Sequence, residues 1–168
     1  MISHENAVTI LSETGCEPEV IAHCMAVSSF SVKFARKLAA SGKIVDVSLV
    51  EIGGILHDLG RARTHGIDHA AIGAKIAEEL GLDPQIVRII KCHIGAGISR
   101  EDAISLGLPD DDYIPRSMEE KIVAHTDNLM HGTRRISLEE YISRMRDRQL
   151  GEENIKRIKA LADELGVY

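Results

Sequence analysis

Apolar residues recur at helical spacing along nearly all of this chain, and no run of strict alternation bounded by turn signals interrupts them. That periodicity argues against a sheet with one buried face and predicts an all-α helical bundle. Glycine and proline fall as single marks between periodic segments, with no linker, internal repeat or low-complexity stretch, so residues 1–168 are expected to form a single domain. A chain of this size buries roughly 70% of its unfolded surface, enough for a core without disulfides. Aromatic residues make up only 3% and Trp is absent, so Leu, Ile, Val and Ala must fill that core.

Capping signals divide the chain into nine segments. A first helix over about residues 4–13 stops at Gly15, and Pro18 opens a second that runs to about Ala40 before Gly42. Ser48 with Glu51 reads as a capping box for a third, continuing through IGGILHD to Gly60. Asp68 caps a fourth ending near Gly81, Asp83 with Pro84 opens a fifth carrying VRIIKCH, and Ser99 with Asp102 starts a short sixth. Ser117 caps the seventh, MEEKIVAHTDNLMH, and Ser137 with Glu140 boxes the eighth. The ninth, about 152–165, sets Ile155, Ile158, Leu161, Ala162 and Leu165 on one face and is expected to lid the bundle.

A formal net charge of −6 argues against a nucleic-acid backbone or an anionic membrane as the main partner. Scarce aromatics leave little for stacking single-stranded bases. Cys16, Cys24 and Cys92 are odd in number and lack CxxC spacing, which reads as buried thiols in a reducing compartment. The start, MISHENAVTILSETG, has no basic region ahead of a long apolar run, and no apolar stretch approaches the roughly 18 residues needed to span a bilayer. A cytoplasmic protein is expected.

Against this plain background the stretch GGILHDLGRARTHGIDHAAIGA, residues 53–74, concentrates His57, Asp58, His65, Asp68 and His69. Neighbouring helical residues point about 100° apart, so the pair His57 and Asp58 shares an ion only at a helix end or in a groove between helices, with partners from elsewhere. His23, His93 and Asp127 lie among apolar neighbours in VIAHCMAV, IIKCHIGA and IVAHTDNL. Each of these alone reads more readily as a hydrogen-bonded core residue. Polar groups on inward faces cost several kcal/mol unless satisfied, and the ordered set over five helices points to one shared cause.

That set resembles the HD superfamily of metal-dependent phosphohydrolases, whose pattern is an isolated His, an HD pair and a distant Asp. His23, His57, Asp58 and Asp127 match those positions. HDLGR is similar to the HDIG form of the motif, HAAIGAKIAEEL to the helix that follows it, and RIIKCHIGAG to a stretch bringing a further metal-binding histidine. MEEKIVAHTDNL resembles the segment with the last aspartate in the subgroup that hydrolyses diadenosine tetraphosphate. The resemblance covers about residues 18–131, with the helices of about 137–165 packing on that core. It implies a first metal on His23, His57, Asp58 and Asp127, and a second on His69 and His93 with Asp58 bridging. Either His65 or His69 fits the histidine of the fourth helix; His69 is preferred because it sits on the capped helix just before AxxGA, and His65 is assigned to the loop rim.

Imidazoles with carboxylates suit Mn, Fe, Co or Ni better than Mg, so one or two such divalent ions per chain are expected. A bound divalent ion lowers the pKa of water from about 15.7 toward roughly 7, supplying hydroxide for attack on phosphorus. Charge on the phosphoryl group must be met locally, and Arg61, Arg63, Lys91 and Arg100 are the candidate phosphate contacts, with Asp58 and Arg61 the catalytic pair. Gly95 and Gly97 either admit substrate closely or cap a helix. His125 is turned about 200° from Asp127, whereas His131 shares its face and is placed either at the pocket edge or as a partner behind the ligands. His4 is assigned nothing, and Arg134 with Arg135 is expected to meet only solvent. The resulting reading is hydrolysis of a phosphate ester, of a small nucleotide above all. A non-catalytic metal- or nucleotide-binding sensor on the same fold is the alternative.

Overall fold

Most helix starts are held by a side-chain oxygen that accepts a backbone N–H of the first turn. Ser3 does this for α1 (His4–Thr14), Asp83 for α5 (Pro84–Cys92), Ser99 for α6 (Arg100–Ser105) and Ser117 for α7 (Met118–Asn128). Pro18 opens α2 (Pro18–Ala40). The computed structural model describes residues 2–147 and 151–166; the outermost residues of the expected domain and 148–150 lie outside the described residues.

Two boundaries differ from expectation. Helix α3 spans Val47–Leu56 and is capped by Asp46, whose carboxylate accepts the Leu49 N–H at 3.0 Å, not by Ser48. It also stops at Leu56 instead of reaching Gly60, and Leu59–Ala62 forms a separate 3₁₀ turn. Asp68 does precede α4 (His69–Glu79), but its carboxylate takes the Thr64 hydroxyl at 3.0 Å and bonds no backbone N–H of the helix.

Among the described residues the helices are accompanied by a short hairpin, β1 (Met130–His131) against β2 (Arg134–Arg135), and by isolated bridges pairing Gly95 with Gly97 and Ile98 with Tyr113. Periodicity cannot register strands this short. Helices α8 (Leu138–Asp147) and α9 (Glu152–Leu165) follow, and α9 buries the five predicted residues Ile155, Ile158, Leu161, Ala162 and Leu165 while packing on α7. Arg134 and Arg135 do more than meet solvent. Arg134 pairs with Glu140 at 2.7 Å, and the Arg135 guanidinium sits 4.4 Å from the centre of the Phe30 ring.

Helix α3 is the buried axis of the bundle, with seven of its ten residues inside. Its glycines let neighbours approach closely: a Cβ on Gly54 would lie 2.8 Å from the Ser28 Cα of α2, and one on Gly53 would lie 2.5 Å from the Ile89 side chain of α5. The end of α3 is therefore seated between α2 and α5. Gly60 continues the pattern, since a Cβ there would lie 1.9 Å from the His69 carbonyl oxygen. Gly73 answers it from α4, where a Cβ would lie 2.8 Å from the Gly60 nitrogen. The glycine after HDL thus serves close approach, which brings the start of α4 against the HD pair.

Cys16, Cys24 and Cys92 are free thiols and buried. Among the described residues no helix is long and apolar enough to cross a membrane.

Candidate metal centre

Six side chains from five helical segments meet where α3 ends. His57 and Asp58 come from that end, His23 from α2, His69 from the first turn of α4, His93 from just after α5, and Asp127 from α7. Three overlapping groups satisfy metal-ligand proximity, each with its ligand atoms within 4.8 Å of one another: His23, His57 and Asp58; His57, His93 and Asp127; Asp58, His69 and His93.

The imidazoles are oriented by backbone carbonyls. The Nδ1 of His23 lies 2.7 Å from Gly132 O, that of His57 2.8 Å from Gly54 O, that of His69 2.7 Å from Gly66 O, and that of His93 2.7 Å from Ile90 O. A carbonyl only accepts, so each Nδ1 carries a proton and each Nε2 turns inward, the usual arrangement behind metal-ligating histidines. Those Nε2 atoms crowd the two carboxylates. His23 reaches Asp127 at 3.0 Å, His57 reaches the same oxygen at 3.4 Å, and His69 and His93 reach Asp58 Oδ1 at 3.2 and 3.4 Å. The Nε2 atoms of His69 and His93 are 3.0 Å apart. Two buried acceptors, His57 Nε2 and Asp58 Oδ1, have no hydrogen-bond partner. Convergent acceptors of this kind fit a divalent cation, and the N/O donor set suits a transition ion.

Attraction between carboxylates and imidazoles dominates the electrostatics of the cluster. Burial opposes ionisation of Asp58 and Asp127, yet the surrounding histidines, His57 foremost, hold both carboxyl groups well below the usual carboxylate range. Burial opposes protonation of His57 too, but Cys24, Asp58 and Asp127 raise its pKa well above the ordinary value. His93 moves the other way, lowered chiefly by its burial.

The cluster forms part of the lining of a cavity of about 670 Å³, within the range of small-molecule sites. Arg61 lines it, donating from Nε to Asp58 Oδ2 at 2.8 Å, and His65 and His131 stand exposed on its rim. The other expected phosphate contacts are placed elsewhere, each drawn to a nearer oxygen. Arg63 donates to the Thr14 carbonyl at 2.7 Å, Lys91 pairs with Asp111, and Arg100 grips Asp110. None of the three lines the cavity. Gly97 is explained by packing, because a Cβ there would lie 2.6 to 2.8 Å from the Tyr113–Pro115 segment, whereas Gly95 meets nothing nearer than 4.0 Å. His4 bonds Glu51 on the surface at 2.8 Å.

Sequence reasoning missed Asn128, Tyr141 and Met145, which also line the cavity. Asn128 donates to the Gly95 carbonyl at 2.9 Å and so braces the segment after His93. Its position beside Asp127 was the available signal; for Tyr141, one of only three tyrosines, it was scarcity.

A family model described as HD domain matches residues 20–165. An uncharacterized protein of Methanocaldococcus jannaschii is 48% identical over 163 residues, covering 96% of this chain and 95% of that protein. A tRNA (cytidine(56)-2′-O)-methyltransferase of Thermoplasma volcanium is 40% identical over 94% of this chain, which spans only 45% of that relative. Among solved structures, the HD domain of the L. monocytogenes phosphodiesterase PgpH superposes with a TM-score of 0.60 at 18% identity, covering 95% of this chain and 94% of that one. Its complex with cyclic-di-AMP gives 0.59 at 16% identity, covering 95% and 93%.

Proposed function

The chain belongs to the HD domain family, and from that premise and the geometry of the cluster we propose that it is a metal-dependent phosphohydrolase acting on a phosphate ester of a small nucleotide. One observation carries this reading: four carbonyl-oriented imidazoles and two carboxylates turn their ligand atoms into one cluster of overlapping triplets, with His57 Nε2 and Asp58 Oδ1 buried and without a hydrogen-bond partner. Hydrogen bonding within the protein leaves that arrangement unsatisfied, and a cation completes it.

In this reading His23, His57, Asp58 and Asp127 hold one ion of the Mn, Fe, Co or Ni type, and Asp58, His69 and His93 hold a second. A carboxylate has two oxygens, so Asp58 could serve both ions. Divalent ions held there would activate water at neutral pH and offset charge on the phosphoryl group. The chain's own part is orientation. The four backbone carbonyls keep the imidazole lone pairs aimed inward, and Asp58 positions the Arg61 guanidinium at the cavity wall, where it meets a phosphate oxygen. The cyclic-di-AMP complex of the PgpH domain, a protein of the same fold, supports a nucleotide as the ligand class.

The test is elemental analysis of protein purified without chelator, followed by a panel of nucleotides and phosphodiesters with Mn or Co. Hydrolysis that survives Asp58→Ala would refute this site. A second reading is favoured by the Thermoplasma volcanium relative, in which a segment like this chain makes up less than half of an RNA-modifying protein. There the fold would serve as a metal- or nucleotide-binding module, and bound metal without hydrolysis of any ester would select it.

A further inference from the structure

The cavity above the cluster is chemically lopsided. Among the described residues it is lined by one guanidinium, Arg61, and by no lysine, while Asp58, Asp102 and Asp127 all line it. Arg61 is already engaged by Asp58, and Asp102 is held by Arg157 at 3.0 Å. Apart from the rim imidazoles of His65 and His131, positive charge beyond Arg61 has one place to come from, the ligand cluster itself. The remaining wall is largely uncharged. Tyr141 and Met145 of α8, Ile158 of α9, Ile94 and Leu106 all line it, and the Tyr141 hydroxyl and the Ile158 Cδ1 each come to 4.0 Å from where a Cβ on Gly95 would stand.

A row of ionised phosphates needs a row of cations or strong donors, because each buried anionic oxygen left unpaired costs several kcal/mol. This cavity can meet one phosphoryl group, at the cluster and Arg61. Among the described residues its lining holds no further guanidinium and no ammonium for a second or third, only the rim imidazoles and neutral donors. Its apolar wall with a single tyrosine ring instead suits a planar, uncharged group, which gains from burial and from ring contact.

Resting on the phosphohydrolase reading above, we propose that the substrate is an ester of one phosphoryl group whose remaining part is uncharged and of nucleobase size. A nucleoside monophosphate is meant, in preference to the polyphosphate that similarity to the diadenosine tetraphosphate subgroup implies. Tyr141 is the specificity-determining residue: its ring bears on the base and touches no reacting atom.

The experiment measures kcat and KM of the full chain with Mn on adenosine 5′-monophosphate, ribose 5-phosphate, ATP and diadenosine tetraphosphate. The expected order puts the nucleoside monophosphate at least about 10-fold ahead of the other three in kcat/KM. Tyr141→Ala raises KM for the nucleotide about 10-fold and moves that for ribose 5-phosphate less than about 2-fold, while Tyr141→Phe restores the nucleotide value. A preference for ATP or the tetraphosphate overturns the proposal, as does a Tyr141→Ala defect equal on both monophosphates. If no ester is hydrolysed, it is the phosphohydrolase reading that falls. Calorimetric titration of the same four ligands into Mn-loaded protein then decides the ligand class: tighter binding of the nucleoside monophosphate, weakened by Tyr141→Ala, upholds it, and tighter binding of ATP overturns it.

Discussion

His125 and His57 are both fully buried, and they stand in opposite situations. The Nδ1 of His57 is held by the Gly54 carbonyl and its Nε2 looks toward Asp127 at 3.4 Å and Asp58 at 3.8 Å. His125, two residues before Asp127 on α7, has no hydrogen-bond partner on either ring nitrogen, and its ring lies 6.3 Å from that of Phe34, centre to centre. The first region gathers negative charge around imidazole, and the second surrounds imidazole with hydrocarbon. Burial of a histidine therefore says little by itself. What distinguishes a ligand is a carbonyl on one nitrogen and carboxylates around the other.

The largest expected effect breaks the cluster side of that comparison. Asp58→Ala removes the carboxylate common to both proposed ions, so metal content should fall to background and kcat/KM should drop on the order of 1000-fold, about 4 kcal/mol. His125→Leu should keep both values. Elemental analysis and steady-state kinetics on the two variants side by side check this, and metal lost from His125→Leu would abolish the distinction.

The next effect belongs to His125 alone. Burial pushes its pKa down to about 4 from an ordinary 6.5. Below about pH 6.5 the unfolded chain takes up a proton that the folded chain refuses until about pH 4, so stability falls as pH drops through that window. The loss from this one group approaches about 3.5 kcal/mol, at about 1.4 kcal/mol per pH unit. Urea midpoints between about pH 7 and pH 4.5 should show a steeper decline in wild type than in His125→Leu. Parallel declines would mean that the ring finds a partner on protonation.

Where the chain's chemistry is local, its sequence was readable. Ser99, Ser117 and Asp83 cap the helices they were expected to cap, because an N-cap bond spans only two or three residues. Ser48 failed for the same local reason, since Asp46 lies closer to the helix start and takes the N–H first. The HD pair was legible because two adjacent polar side chains at the end of an apolar helix stay unsatisfied when buried unless something binds them. Arg63, Lys91 and Arg100 were not. A flexible cation goes to the nearest carboxylate or carbonyl in space, and Thr14, Asp111 and Asp110 are near only once the chain has folded. The wall from α8 was hidden likewise, because nothing within α8 says which cavity Tyr141 reaches.

Metal stoichiometry sharpens the comparison inside the cluster. With two ions bound, His69→Ala or His93→Ala should lower the ratio from about two to one, because each removes an Nε2 that the proposed reading gives to the second ion. A ratio still at two would dismiss that site. Stability reports the same event: at a free metal concentration about 100 times the Kd, binding adds about 2.7 kcal/mol, and part of that gain should vanish in either variant. The measurement is the shift in melting temperature on adding Mn after chelation. His125→Leu should show the full shift.

The smallest effect comes from a histidine with neither environment. His131 was placed by spacing on the Asp127 face of α7, but the helix ends at Asn128 and His131 sits in β1, exposed on the cavity rim. Nothing buried depends on it, so His131→Ala should change stability by no more than about 0.5 kcal/mol. Its place on the rim still lets it touch a substrate, which confines any effect to KM and leaves kcat and metal content unchanged. Metal lost from this variant would show that an exposed imidazole, unheld by carbonyl or carboxylate, contributes to the ion. Orientation by the backbone would then no longer separate ligands from bystanders.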